Sequence, residues 1–117
     1  MNYSLELNSR AFQAIKNGTK KIEGRVQNSY DKVDFKDLKK GDMITFENIS
    51  TKEKMKVKID EIRHYPNVKA MLEAEGTRNV LSTGGNIKQG IESYNKISEY
   101  KKNILKYGIY AIEIQSL

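Results

Sequence analysis

The stretch Gly18-Thr19-Lys20-Lys21-Ile22-Glu23-Gly24-Arg25 lies where one hydrophobic pattern stops and another starts. Upstream, Phe12 and Ile15 repeat at helical spacing behind Asn8 or Ser9, either of which offers an N-cap side chain. Asn17-Gly18 ends that helix, because glycine enters the left-handed region without a Cβ clash. Downstream, Ile22 and Val26 alternate with Glu23 and Arg25, the two-residue period of a strand. Two lysines, a carboxylate and a guanidinium stand within the six positions from Lys20 to Arg25. In an extended chain Glu23 and Arg25 share a face, about 7 Å apart, while Ile22 and Val26 face the other way. With the apolar residues turned inward, the outward pair is a binding floor, a brace for the sheet, or an ordinary solvated strand whose ion pair contributes little. Lys20 has the opposite parity. It joins the pair only if Thr19-Lys20 still belongs to the turn, or if a bulge re-aims it.

Working outward, Tyr3-Ser4-Leu5-Glu6-Leu7 alternates as a strand, so the chain opens strand, helix, strand. Residues Gln27 to Lys40 are polar, with Phe35 and Leu38 expected to tether a loop to the core. Gly41-Asp42 precedes a third strand, Met43 to Glu47, and Ser50 to Glu53 reads as a hairpin turn. From Lys54 to Ile62 the alternation puts Met55, Val57 and Ile59 on one side and Lys54, Lys56 and Lys58 on the other. The register changes at Glu61-Ile62, which predicts a bulge. A helix carrying Val68, Met71 and Leu72 opens at Pro66 or Asn67 and stops at Gly76. After a connector, Thr77 to Leu81, comes a small-residue loop, Ser82 to Asn86, where backbone can approach a ligand closely. The spacing of Ile87, Ile91, Tyr94 and Ile97 predicts one helix from about Ile87 to Ile104. The closing Gly108 to Ile114 is apolar on both faces except at Glu113, as a central strand would be. The order β-α-β-β-β-α-α-β describes one α+β domain, residues 1–117, with a mixed, barrel-like sheet.

A net charge of +6, from 21 Lys+Arg against 15 Asp+Glu, favours an anionic partner such as RNA or a nucleotide. The chain has no cysteine, which excludes disulfides, thiol nucleophiles and cysteine-bound zinc. His64 is the only histidine, so neither a multi-histidine metal centre nor a Ser-His-Asp triad is expected, and no metal or other cofactor is called for. No apolar run nears the ~20 residues needed to span a bilayer. The N-terminus has no signal-peptide pattern, and the expected location is the cytoplasm.

These residues, in this order, resemble the ASCH family, a branch of the PUA-like β-barrel fold. The family signature Gly-x-Lys-x-x-Glu-x-Arg is matched by Gly18, Lys20, Glu23 and Arg25. Gly41-Asp42 before Met43-Ile44-Thr45-Phe46 matches a second signature. Glu75-Gly76, Asn79-Val80-Leu81, Tyr94 and Gly108-Ile109-Tyr110-Ala111-Ile112 match a third. The resemblance spans nearly the whole chain and implies a PUA-like mixed barrel of about five to six strands with flanking helices. It also implies RNA or nucleotide binding in a cleft beside the Lys20/Glu23/Arg25 strand. Some members are amidohydrolases of acetylcytidine nucleosides, and others resemble ribonucleases. In the amidohydrolase branch a threonine stands where this chain has Glu23. A second glutamate belongs near the loop that here, from Ser82 to Asn86, holds no carboxylate.

The leading expectation is a binding module for single-stranded RNA or a modified nucleotide. Lys20 and Arg25 would contact phosphate or base edges, Glu23 would accept base N–H groups or orient the cations, Tyr94 would offer a stacking face, and Ser82 and Thr83 would supply loop contacts. The alternative is a small metal-independent hydrolase with Lys20 and Glu23 as its catalytic pair, helped by a Ser82 or Thr83 hydroxyl and Tyr94. Lys20 would serve as a base only with its pKa lowered by burial and Arg25, against the pull of Glu23. A third reading is a protein-interaction domain with a basic face.

Overall fold

Asn8 sets the first corner. Its side chain accepts the Ala11 N–H at 2.8 Å, so helix α1 (Ser9–Lys16) starts directly after strand β1 (Asn2–Leu7). At the other end Gly18 takes φ +86, and the Thr19 and Lys20 N–H groups both fold back on the Ala14 carbonyl at 3.0 Å. This wrap keeps Thr19 and Lys20 in the turn, and strand β2 spans only Ile22–Arg25. The computed structural model describes residues 1–117.

The remaining elements are β3 (Met43–Asn48), β4 (Lys54–Tyr65), α2 (Val68–Glu75), α3 (Thr77–Val80), α4 (Ile87–Asn95), α5 (Tyr100–Tyr107) and β5 (Ile109–Ser116). The five strands form one mixed sheet in the order β1-β3-β4-β5-β2, with β1 parallel to β3 and the other pairs antiparallel. The sheet curls into a half-barrel whose two edges are β1 and β2. The fold is α+β and of the PUA-like kind.

Strand alternation explains the two cores. On the inner face Leu5, Leu7, Ile44, Phe46, Val57, Ile59 and Ile112 pack with Phe12 and Ile15 of α1, and with Phe35 and Leu38, which anchor the 27–40 loop as expected. On the outer face of β5 and β2, Ile22, Val26, Ile109 and Ala111 pack against Met71, Leu72, Val80, Tyr94, Tyr100 and Ile104 of the helices. Each such side chain, fully buried, contributes on the order of 1.5–3 kcal/mol. Strand β5 is thus covered on both faces, as its composition requires. In β4 the register shifts between Ile59 and Glu61, which makes Asp60 the extra residue and lets Ile62 follow Ile59 on the inner side.

One predicted element is divided. Instead of a helix from Ile87 to Ile104, α4 ends at Asn95 and α5 starts at Tyr100, with Glu99 at φ +70 between them. In one continuous helix Tyr94 and Tyr100 would point about 240° apart. The break lets both rings lie over β2, parallel within 6° and with centroids 6.3 Å apart. The connector 77–81 contains the short helix α3, with Val80 buried. No helix is long and apolar enough to cross a membrane.

Candidate functional site

Strand β2 pairs with β5 so that Glu23 stands opposite Ile112 and Arg25 opposite Tyr110. Directly opposed residues share a face, which turns Glu23 and Arg25 toward the inner side of the half-barrel. They are not presented to solvent: Lys20, Glu23 and Arg25 are 5%, 7% and 7% exposed. This corrects both the outward orientation and the solvated-strand reading, because a strand covered on both faces has no open side.

The three side chains form one chain of charge. Lys20 Nζ lies 3.2 Å from Glu23 Oε1, and Arg25 Nε donates to Glu23 Oε2 at 2.7 Å. Lys20 also donates to the Ile22 carbonyl at 2.7 Å and to the Val80 carbonyl, so its three ammonium hydrogens have three acceptors. The Arg25 Nη1 group bonds both Asp31 oxygens, at 3.1 and 3.3 Å. Its Nη2 group donates to the Glu6 carbonyl at 2.7 Å, crossing from edge strand β2 to edge strand β1, and has a second hydrogen for a ligand. Arg25 therefore braces the open side of the half-barrel as well as lining it.

Burial dominates the protonation behaviour of this network. It lowers the Lys20 pKa from the ordinary ammonium value; Glu23 opposes the change and Arg25 adds to it. Burial would raise Glu23, but the ammonium and guanidinium beside it outweigh that and hold it below the usual carboxylate range. Burial would also weaken the Arg25 charge, and Glu23 and Asp31 more than restore it.

Above the network opens a cleft of about 450 Å³ between the sheet edges, within the size range of small-ligand sites (~300–1,000 Å³). Ser82 and Thr83 line it with Lys20, Glu23 and Arg25, so the structure brings every predicted site residue to one place. Tyr94 is there too, but buried. Its ring lies over Gly24, where a Cβ would collide with the Tyr94 hydroxyl, and runs parallel to Tyr100. Burial raises the Tyr94 and Tyr100 phenols well above the ordinary value. The accessible aromatic is Tyr30, 48% exposed, on the cleft wall.

Tyr30, Asp31 and Arg10 were not expected at the site. Asn28 Oδ1 accepts the Tyr30 and Asp31 N–H groups at 3.0 and 2.7 Å, and this Asx turn aims Asp31 at Arg25. The Asn28-x-x-Asp31 spacing signals such a turn in the sequence; nothing local signals what it faces. Arg10 lines the opposite wall from α1, exposed and in no ion pair. Lys54, Lys56 and Lys58 point away from the inner core and belong to a different surface from the Arg25 cleft. No cluster of three or more His, Cys, Asp or Glu side chains is arranged to hold a metal.

A curled mixed sheet with a basic and carboxylate network at its open edge defines a PUA-like domain. The ASCH domain model matches residues 5–117, and the chain belongs to that family. It is similar to the crystal structure of the hypothetical protein PH0355, at 36% identity and a TM-score of 0.84 with each chain fully covered. It is also similar to the solution NMR structure of protein PF0455 from Pyrococcus furiosus, at 35% identity and a TM-score of 0.71, covering 100% of this chain and 98% of that one. No curated protein matches the chain.

Proposed function

We propose that this domain binds single-stranded RNA or a modified nucleotide in the cleft between β1 and β2. One observation carries the reading: a charged, hydrogen-bonded floor is held rigid beneath a nucleoside-sized opening whose walls carry an unpaired Arg10 and an accessible Tyr30. Membership of the ASCH family supports it, since the family is generally of an RNA-binding kind. The spare Arg25 hydrogen meets a base carbonyl or phosphate oxygen, Arg10 adds a mobile cation, and Tyr30 gives a base a face to stack on. Ser82 and Thr83 contribute hydroxyls from the far wall. The roles divide differently from those read in the sequence, with stacking on Tyr30 and Tyr94 fixing the floor.

Fluorescence anisotropy of a short labelled RNA, measured over a salt series, tests this. Binding is expected with a log–log salt slope of about −0.7 per phosphate contacted. Tyr30→Ala is expected to weaken it by roughly 1–3 kcal/mol, the range for one base–aromatic stack, and Arg25→Ala by more. Binding indifferent to both substitutions would move RNA off the cleft.

The lowered Lys20 pKa favours a second reading, a hydrolase acting on an acylated nucleoside or on RNA. Against it, all three Lys20 hydrogens are engaged, and loss of a proton would set a lone pair against one of those oxygens. A purified sample that leaves acetylated cytidine and short RNAs intact on prolonged incubation removes this reading.

A further inference from the structure

Beside the cleft lies a second concavity of about 620 Å³ with a different character. Leu81 and Ser82 line both, forming the ridge between them. The second concavity holds the side chains of Lys21 and Arg78 and the small-residue loop at Ser82, Gly84 and Gly85, and no carboxylate lines it. The Lys21 N–H bonds the Asn79 carbonyl at 2.9 Å, which fixes the two cationic segments side by side. Both cations are exposed and neither is in an ion pair, although 15 carboxylates are distributed over the chain. The N–H groups of Ser82, Thr83 and Gly85 have no partner within the protein. Unpaired cations together with free backbone donors on a glycine loop suit a phosphate, whose oxygens only accept.

We infer that this groove is a phosphate subsite, in which Lys21 and Arg78 hold an internucleotide phosphate of an RNA strand whose neighbouring nucleotide occupies the cleft. The inference rests on the RNA reading of the cleft and extends it, making the ligand an oligonucleotide rather than a free nucleoside. The strand crosses the Leu81–Ser82 ridge, the cleft reads the nucleotide, and the groove holds the backbone. The cations of the groove contact phosphate alone, so they add affinity without base preference.

The test compares wild type with Lys21→Ser/Arg78→Ser and with Lys56→Ser/Lys58→Ser, which removes the same charge from the outer face of β4. The probe is a labelled eight-nucleotide single-stranded RNA of mixed sequence, titrated at several salt concentrations. The groove variant is expected to bind about ten-fold more weakly, with the salt slope reduced by about 1.4, or about 0.7 for each of two phosphate contacts. The outer-face variant is expected to behave as wild type. Equal losses in both variants, or no loss in the groove variant while Tyr30→Ala still weakens binding, would overturn the subsite and leave the cleft reading intact. A wild type that binds no RNA would overturn both. All the substituted side chains are exposed, so unchanged melting temperatures verify folding.

Discussion

Lys20 and Lys21 are neighbours of the same type with opposite fates. Lys20 is buried against two carbonyls and a carboxylate, while Lys21 is exposed with its ammonium in no ion pair. The turn behind Gly18 sends one under the sheet edge and the other into the groove on its far side. The buried cation belongs to a network in which Lys20 and Arg25 are balanced by Glu23 and Asp31, so it shapes the cleft and adds little net charge to it. The exposed cation is balanced by nothing. Charge organises a site where it is paired and recruits a ligand where it is not.

The largest effect on that contrast should come from Glu23→Gln, which leaves two buried cations facing a neutral amide. Removing one partner of a buried ion pair typically costs about 3–5 kcal/mol, readable by denaturant unfolding. The same variant has a pH signature. Because the Glu23 pKa is lowered in the folded state, its contribution is present above about pH 4.5 and is lost as pH falls through the folded value. The melting temperature of wild type should fall on acidification below about pH 4.5. That of Glu23→Gln should start lower and fall less steeply.

A smaller loss should follow Gly24→Ala. The added methyl meets the Tyr94 hydroxyl and, at 3.2 Å, the Met71 methyl, so the helix layer must shift from β2. Overpacking of this kind costs about 1–3 kcal/mol. A melting curve unchanged by this substitution would show that Tyr94 does not hold the floor in place. Smallest of all should be Lys21→Met, within about 0.5 kcal/mol of wild type in stability as for most surface changes. A loss as large as that of Glu23→Gln would erase the distinction between the two lysines.

Much of this was legible in the sequence, and the part that was not has a physical reason. Alternation located the strands, and Asn8 and Gly18 bounded the first helix. The lysine parity problem had its answer in the turn, where Thr19 and Lys20 remain bonded to Ala14. Alternation reports which residues share a face, not which face is covered, and so it could not show that Glu23 and Arg25 point inward against β1. Helical periodicity likewise could not show that Tyr94 and Tyr100 both require β2, which is what divides the predicted long helix. Tyr30 and Arg10 reach the cleft only through the closing of the two sheet edges, a contact between residues far apart in the chain.

The central claim is that RNA occupies the cleft between the sheet edges, not the lysine face of β4. The most direct measurement is a map of ¹⁵N chemical-shift changes, including the Arg25 Nε resonance, as a short single-stranded RNA is titrated in. Shifts are expected at Arg10, Arg25, Tyr30, Ser82 and Thr83, with Lys54, Lys56 and Lys58 unmoved. Shifts confined to Lys54, Lys56 and Lys58, or a spectrum unchanged by RNA, would contradict it.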